Sequence, residues 1–150
     1  MNFNLSTSIK APVSTVWKII SDLESAKQVI SAIEDIEIVE RPQGDDLVGL
    51  KWRETRTLFG KTAEETMTIT ESVTNSHYVT HAASHGSEYR SSMIVKEAGE
   101  GSELTMTFEG KPQTFMAKVM AAIFTPLMKG SMRKAIEQDL ADIKAAAEAA

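Results

Sequence analysis

The residues best placed to do chemistry are Glu54, Arg56 and Glu65. Glu54 and Arg56 are two apart, so on a strand they share a face. If Gly60-Lys61 is a two-residue loop, Phe59 pairs with Thr62, Arg56 with Glu65, Glu54 with Met67 and Trp52 with Ile69. One face then carries Trp52, Glu54, Arg56, Glu65, Met67 and Ile69, and the opposite face is a Thr-rich solvated surface. Buried charges are costly unless paired, and the guanidinium fork of Arg56 can serve both Glu54 and Glu65. Such a cluster on an apolar face is either a structural set of ion pairs or the polar end of a ligand pocket. Glu54 and Glu65 are also the candidates, weak ones, for a general acid or base, with a pKa raised by burial or lowered by Arg56. Tyr89 would then polarise a carbonyl.

Other chemistries find little support. His77, His81 and His85 recur every four residues, which on a strand puts successive rings roughly 13 Å apart, too far to grip one metal ion. They read as surface histidines, with His85 beside Gly86 nearest to a pocket rim. There are no cysteines, so disulfides and thiolate chemistry are excluded and a reducing compartment is suited. No Gly-x-Ser-x-Gly elbow, phosphate loop, dinucleotide fingerprint or His-Glu-x-x-His occurs. Neither a metal nor a cofactor is expected.

The elements that must position these residues follow from periodicity. Residues 2–10 alternate, with Phe3, Leu5, Thr7 and Ile9 on one face, and read as a half-buried strand. Pro12 opens a helix carrying Val13, Val16, Trp17 and Ile20, and Asp22 is placed to cap a second short one carrying Val29 and Ile30. Ile33, Ile36, Ile38 and Val39 suggest a strand ending near Arg41-Pro42, and further strands follow at 48–58, 62–73, 77–84, 88–96 and 103–109. From Val48 onward their connections are short, which demands antiparallel neighbours. Gly86-Ser87 reads as a hairpin turn pairing Ser84 with Tyr89 and Thr80 with Met93. Inward residues here are Tyr78, Ala82, Tyr89, Met93 and Val95, joined by Leu104, Met106 and Phe108.

Everything after Pro112 reads as one long helix, kinked at Pro126 with help from Gly130. Ile136, Leu140 and Ile143 form one stripe, while 115–128 is apolar over a wider arc that includes Phe115, Met116, Val119, Met120, Ile123 and Phe124. A sheet this large must cover a face, and the last helix is the only large element available, so the sheet should wrap it. The expected class is α+β, one domain over residues 1–150. Its expected pocket is lined by Trp52, Glu54, Arg56, Glu65, Met67, Ile69, Tyr78, Tyr89, Met93, Met116, Val119, Met120 and Ile123. Seven of the eight methionines fall on these faces, which suits an adaptable apolar cavity.

Bulk properties limit the partners. The chain has 150 residues and a net charge of −5, and an acidic surface disfavours nucleic acid and anionic membranes. No charged-then-apolar signal pattern opens the chain and no apolar stretch approaches the ~20 residues that span a bilayer. A cytoplasmic monomer or homodimer is expected, without membrane insertion.

Several stretches carry a resemblance. They are Ala11-Pro12-Val13 with Val16-Trp17, the run from Val48 to Arg56 followed by Phe59-Gly60-Lys61, the turn at 99–102 before Leu104-Thr105-Met106, and Pro126-Leu127-Met128-Lys129-Gly130. Over essentially the whole length the sequence resembles the START and birch-pollen-allergen (SRPBCC) superfamily, in its polyketide cyclase/dehydrase-like branch. The resemblance implies a helix-grip fold, a seven-stranded antiparallel sheet gripping the last helix over a cavity. It also implies three kinds of activity. One is binding or carrying a small hydrophobic molecule such as a lipid, polyketide or aromatic metabolite, with an acidic or hydroxylated end meeting Arg56. The second is a cyclase or dehydratase using a cavity glutamate. The third is a co-chaperone-like interaction module or homodimer whose helix at 115–128 docks a partner.

Overall fold

The structure is a computed structural model and describes residues 1–58 and 60–150. Strand β1 (Asn2–Ile9) leads into helix α1 (Val13–Ile20), a 3-10 turn at Leu23–Ser25 and helix α2 (Ala26–Val29). Six strands follow: β2 (Ile33–Glu40), β3 (Lys51–Leu58), β4 (Lys61–Val73), β5 (His77–Ser84), β6 (Ser87–Ala98) and β7 (Gly101–Pro112). Helix α3 (Phe115–Ala149) ends the chain and runs unbroken through Pro126 and Gly130. Asp22 precedes the 3-10 turn but makes no side-chain cap, contrary to expectation.

All seven strands form one antiparallel sheet in the order β1-β7-β6-β5-β4-β3-β2. The first and last strands are therefore neighbours, with Leu5 opposite Met106 and Thr7 opposite Leu104. The alternation in β1 buries Phe3, Leu5 and Ile9. These pack with Val16, Trp17 and Ile20 of α1, with Leu104, and with Ile136, Leu140, Ile143 and Ala147 of α3. The four α3 residues repeat at three- and four-residue intervals, the spacing of one helix face. Ser31 donates from its backbone N–H (2.8 Å) and its hydroxyl (2.7 Å) to Asp142, tying the α2–β2 junction to α3.

Both hairpin registers differ from the sequence expectation by two residues. In the β3–β4 pair Trp52 faces Met67, Glu54 faces Glu65 and Arg56 faces Ala63. The expected Phe59–Thr62 pair involves Phe59, which lies outside the described residues, and Thr62 pairs with Thr57. In the β5–β6 pair Ser84 faces Ser87, Ala82 faces Tyr89 and Tyr78 faces Met93. The turn is His85-Gly86, with φ of 50° and 75°. A tight hairpin turn with both central residues at positive φ matches the twist of its strands, and histidine tolerates that region better than most residues. Because strand faces alternate with a period of two, a two-residue shift preserves every inward assignment.

Candidate functional site

The concave side of the sheet, α1, α2 and α3 from Met128 onward border a half-open cavity of about 440 Å³. Ile19, Leu23, Ala26, Val29 and Ile30 form one wall. Trp52, Met67, Tyr78, Tyr89, Met93, Met106 and Phe108 form the sheet side, and Met128, Met132, Ala135, Ile136 and Ile143 the helix side. Tyr89 stacks on Phe108, their rings 5.7 Å apart. Tyr78 meets Trp17 edge-on at 6.2 Å.

The polar end is an ion-pair cluster. Arg56 Nε donates to Glu54 Oε2 (2.7 Å), and Arg56 Nη1 donates to Asp139 Oδ2 (2.9 Å) and Oδ1 (3.2 Å). Glu54 and Asp139 are both buried, and Arg56 keeps only a fifth of its side chain exposed. Burial works against the Arg56 charge, but Glu54 and Asp139 outweigh it and hold its pKa above the usual value. Burial pushes the Asp139 carboxyl up; Arg56 pulls it down without cancelling that, and Glu54 adds to the rise. Burial also raises the Tyr78 phenol, with Glu54 adding to the effect, so Tyr78 stays a neutral donor. Glu65 also lines the cavity, and it accepts a hydrogen bond from Ser84 Oγ at 2.9 Å. The sequence pairs Arg56 with Glu65; the structure gives Asp139 that place.

Of the residues expected to line the pocket, Trp52, Glu54, Arg56, Glu65, Met67, Tyr78, Tyr89 and Met93 do so. Ile69 is fully buried in the core behind the lining. Met116, Val119, Met120 and Ile123 are a correction: all four are exposed and none touches the cavity. Those residues sit on the outer side of α3, and the lining begins one to two turns later at Met128. Asp139 was missed, although it falls three residues after Ile136 and four before Ile143, inside the apolar stripe. A carboxylate in that position has to find a partner.

His77 lies near Glu71 (3.2 Å), while His81 and His85 are exposed. No group of side chains able to hold a metal ion occurs among the described residues. Counted as ionised, the lining holds three carboxylates (Glu54, Glu65, Asp139) and one guanidinium (Arg56), with no lysine or histidine. Its polar end is therefore rich in acceptors and poor in uncommitted cations.

A curved antiparallel sheet gripping a long C-terminal helix over an apolar cavity defines the helix-grip class. The chain belongs to the family described as polyketide cyclase / dehydrase and lipid transport, whose model matches residues 1–148. No curated protein gives a significant match. Among solved structures, TTHA0849 from Thermus thermophilus is 17% identical with a TM-score of 0.82, covering 99% of this chain and 98% of that one. The Zhui aromatase/cyclase from Streptomyces sp. R1128 is 14% identical with a TM-score of 0.73, covering 99% and 93%. Ara h 8.0201 is 17% identical with a TM-score of 0.69, covering 100% and 99%. At these identities the likeness is one of fold.

Proposed function

We propose that this protein binds and carries a small, mainly apolar molecule whose polar end is neutral or cationic. The observation that carries this reading is the cavity of about 440 Å³ with its methionine and aromatic walls and its acceptor-rich end. That volume and lining are those of small-molecule sites. Of the acidic or hydroxylated ligand ends expected at Arg56, the acidic one fits poorly, because Arg56 is already bridged to two carboxylates. A hydroxyl or an amine would instead donate to Glu65 or to free lone pairs of Glu54 and Asp139, and a carbonyl would accept from Tyr78. The expected cytoplasmic location and monomeric or homodimeric state belong with this proposal.

Native mass spectrometry of protein purified from its host tests for a carried molecule. Displacement of an apolar fluorescent probe by dodecanol, dodecylamine and dodecanoate tests the polar end. The alcohol and the amine are expected to displace the probe at least tenfold more effectively than the acid. Equal or better displacement by dodecanoate would overturn the assignment of the polar end. No displacement by any of them, with no copurified molecule, would overturn binding itself.

A second reading, a cyclase- or dehydratase-type enzyme, is favoured by one feature. Glu65 reaches the cavity with, among the described residues, only a hydroxyl partner, so its carboxylate is not committed to a cation there. Glu65 would serve as general base or acid toward a bound carbonyl compound. Turnover of an aromatic polyketide substrate that survives Glu65→Gln and Glu54→Gln would remove these glutamates as its acid or base, and no turnover of such a substrate would remove the reading.

A further inference from the structure

The outer face of the first half of α3 is apolar where a surface helix is ordinarily polar. Phe115, Met116, Ile123 and Leu127 are 78%, 67%, 55% and 74% exposed. At 3.6 residues per turn Met116, Ile123 and Leu127 lie together with Met120, turned away from Ala117, Met128 and Ala135, which face the protein, and Phe115 stands to one side at the helix start. Further along, the same outer face becomes polar at Glu137 and Gln138. An apolar patch of this extent marks an interaction site.

Charge identifies the partner. Residues 115–134 contain Lys118, Lys129, Arg133 and Lys134 and no acidic residue, in a chain whose net charge is −5. Arg133 is bridged to Glu137 at 3.0 Å, while the three lysines make no ion pair among the described residues. Lys118 and Lys129 lie close together along one edge of the apolar arc, beside Phe115, and Lys134 falls in line with Met116. The overall acidity disfavours anionic surfaces, but this segment inverts the local sign. A second copy docked by two-fold symmetry brings an equally basic segment with no carboxylate between residues 115 and 134 to meet the lysines. An anionic lipid surface supplies both acyl chains and negative headgroups.

We propose that the first half of α3 is a peripheral docking surface for an anionic bilayer. Its apolar side chains enter the acyl boundary while the lysine stems reach back to the headgroups. Among the described residues no helix is long and apolar enough to cross a membrane, so the contact lies in the interface. Met128 and Met132, in the same segment, line the cavity. Docking therefore holds one cavity wall at the bilayer.

Sedimentation of the full chain with phosphatidylcholine vesicles, with and without phosphatidylglycerol, tests this. Binding is expected only with phosphatidylglycerol and should weaken as salt rises. The Met116→Glu/Leu127→Glu double variant changes two side chains that touch little of the protein, so it should fold normally by circular dichroism. It is expected to bind at least about tenfold more weakly, the scale set by losing buried apolar area. Val73→Glu, at an exposed apolar site on β4, should bind as the parent does. Three results would overturn the proposal. The folded protein could fail to bind phosphatidylglycerol vesicles, or the double variant could bind unchanged. Light scattering could instead show a dimer, dissolved by Leu127→Glu, in protein that ignores vesicles, which would assign the face to a second copy.

Discussion

Arg56 joins two carboxylates from different parts of the fold, Glu54 on its own strand and Asp139 on α3. Removing the cation leaves both carboxylates buried and uncompensated. Arg56→Met, which keeps much of the length of the side chain, is expected to cost about 3–5 kcal/mol at neutral pH. The loss should depend on pH. Burial already pushes the Asp139 carboxyl up, and Arg56 is the group that pulls it down. Without Arg56 the folded-state pKa of Asp139 rises further above its unfolded value. A raised carboxyl favours folding below the unfolded pKa, and that contribution is lost as pH rises through the folded one. The deficit of the variant should thus be largest near pH 8 and shrink as pH falls toward ~4. Urea unfolding across that range checks it, and a deficit independent of pH would mean that Arg56 acts through packing alone. The inward position of Glu54 and Arg56 was legible from their spacing. The identity of the second carboxylate was not, because strand periodicity says nothing about which residue of a distant helix arrives opposite.

At the scale of elements, the β5–β6 hairpin is locked to the start of α3 through Gly86. Its carbonyl accepts from the backbone N–H groups of Gln113 (2.8 Å) and Thr114 (3.3 Å). The Thr114 hydroxyl accepts in turn from Ala117 N–H at 3.1 Å and caps the helix. Gly86 has φ of 75°, and a Cβ there would come within 2.5 Å of the Thr114 hydroxyl oxygen. Gly99 has φ of 59° and open space around it among the described residues. Gly99→Ala should therefore cost about 1 kcal/mol, the backbone penalty alone, and Gly86→Ala about 2–3 kcal/mol. Paired thermal melts separate the two, and equal losses would show that the hairpin does not hold the helix start. This junction explains an uneven legibility. Strand faces could be read because their period is two and a two-residue slip leaves them intact. The registers could not, because locating the tight turns one residue late moved both hairpins by two. The first half of α3 misled for a different reason. Its wide apolar arc suggests a cavity face, yet Met116, Val119, Met120 and Ile123 occupy its outer side.

For the whole molecule, the need to bury one face of a large sheet was enough to foresee that it would grip the last helix. It could not reveal whether the space between them is filled, because a sequence specifies faces and not the gap separating them. The cavity can be tested as a property distinct from the fold. Ala82 lies in the cavity wall, opposite Tyr89 on β6 and Met67 on β4. Ala82→Phe would project a ring into space the protein leaves empty, not into packed neighbours. Overpacking a filled core costs about 1–3 kcal/mol; filling a void should leave stability within about 1 kcal/mol of the parent or raise it. Ligand at roughly a hundredfold excess over its Kd stabilises the folded state by about 2.7 kcal/mol. For a chain of this size that raises Tm by about 5–10 °C. With dodecanol as ligand, the parent should show this rise and Ala82→Phe should lose most of it while melting at or above the ligand-free parent temperature. A variant that melts far lower would mean that the wall at Ala82 is packed. A variant that is stable and still shows the full rise would place the ligand elsewhere on the molecule.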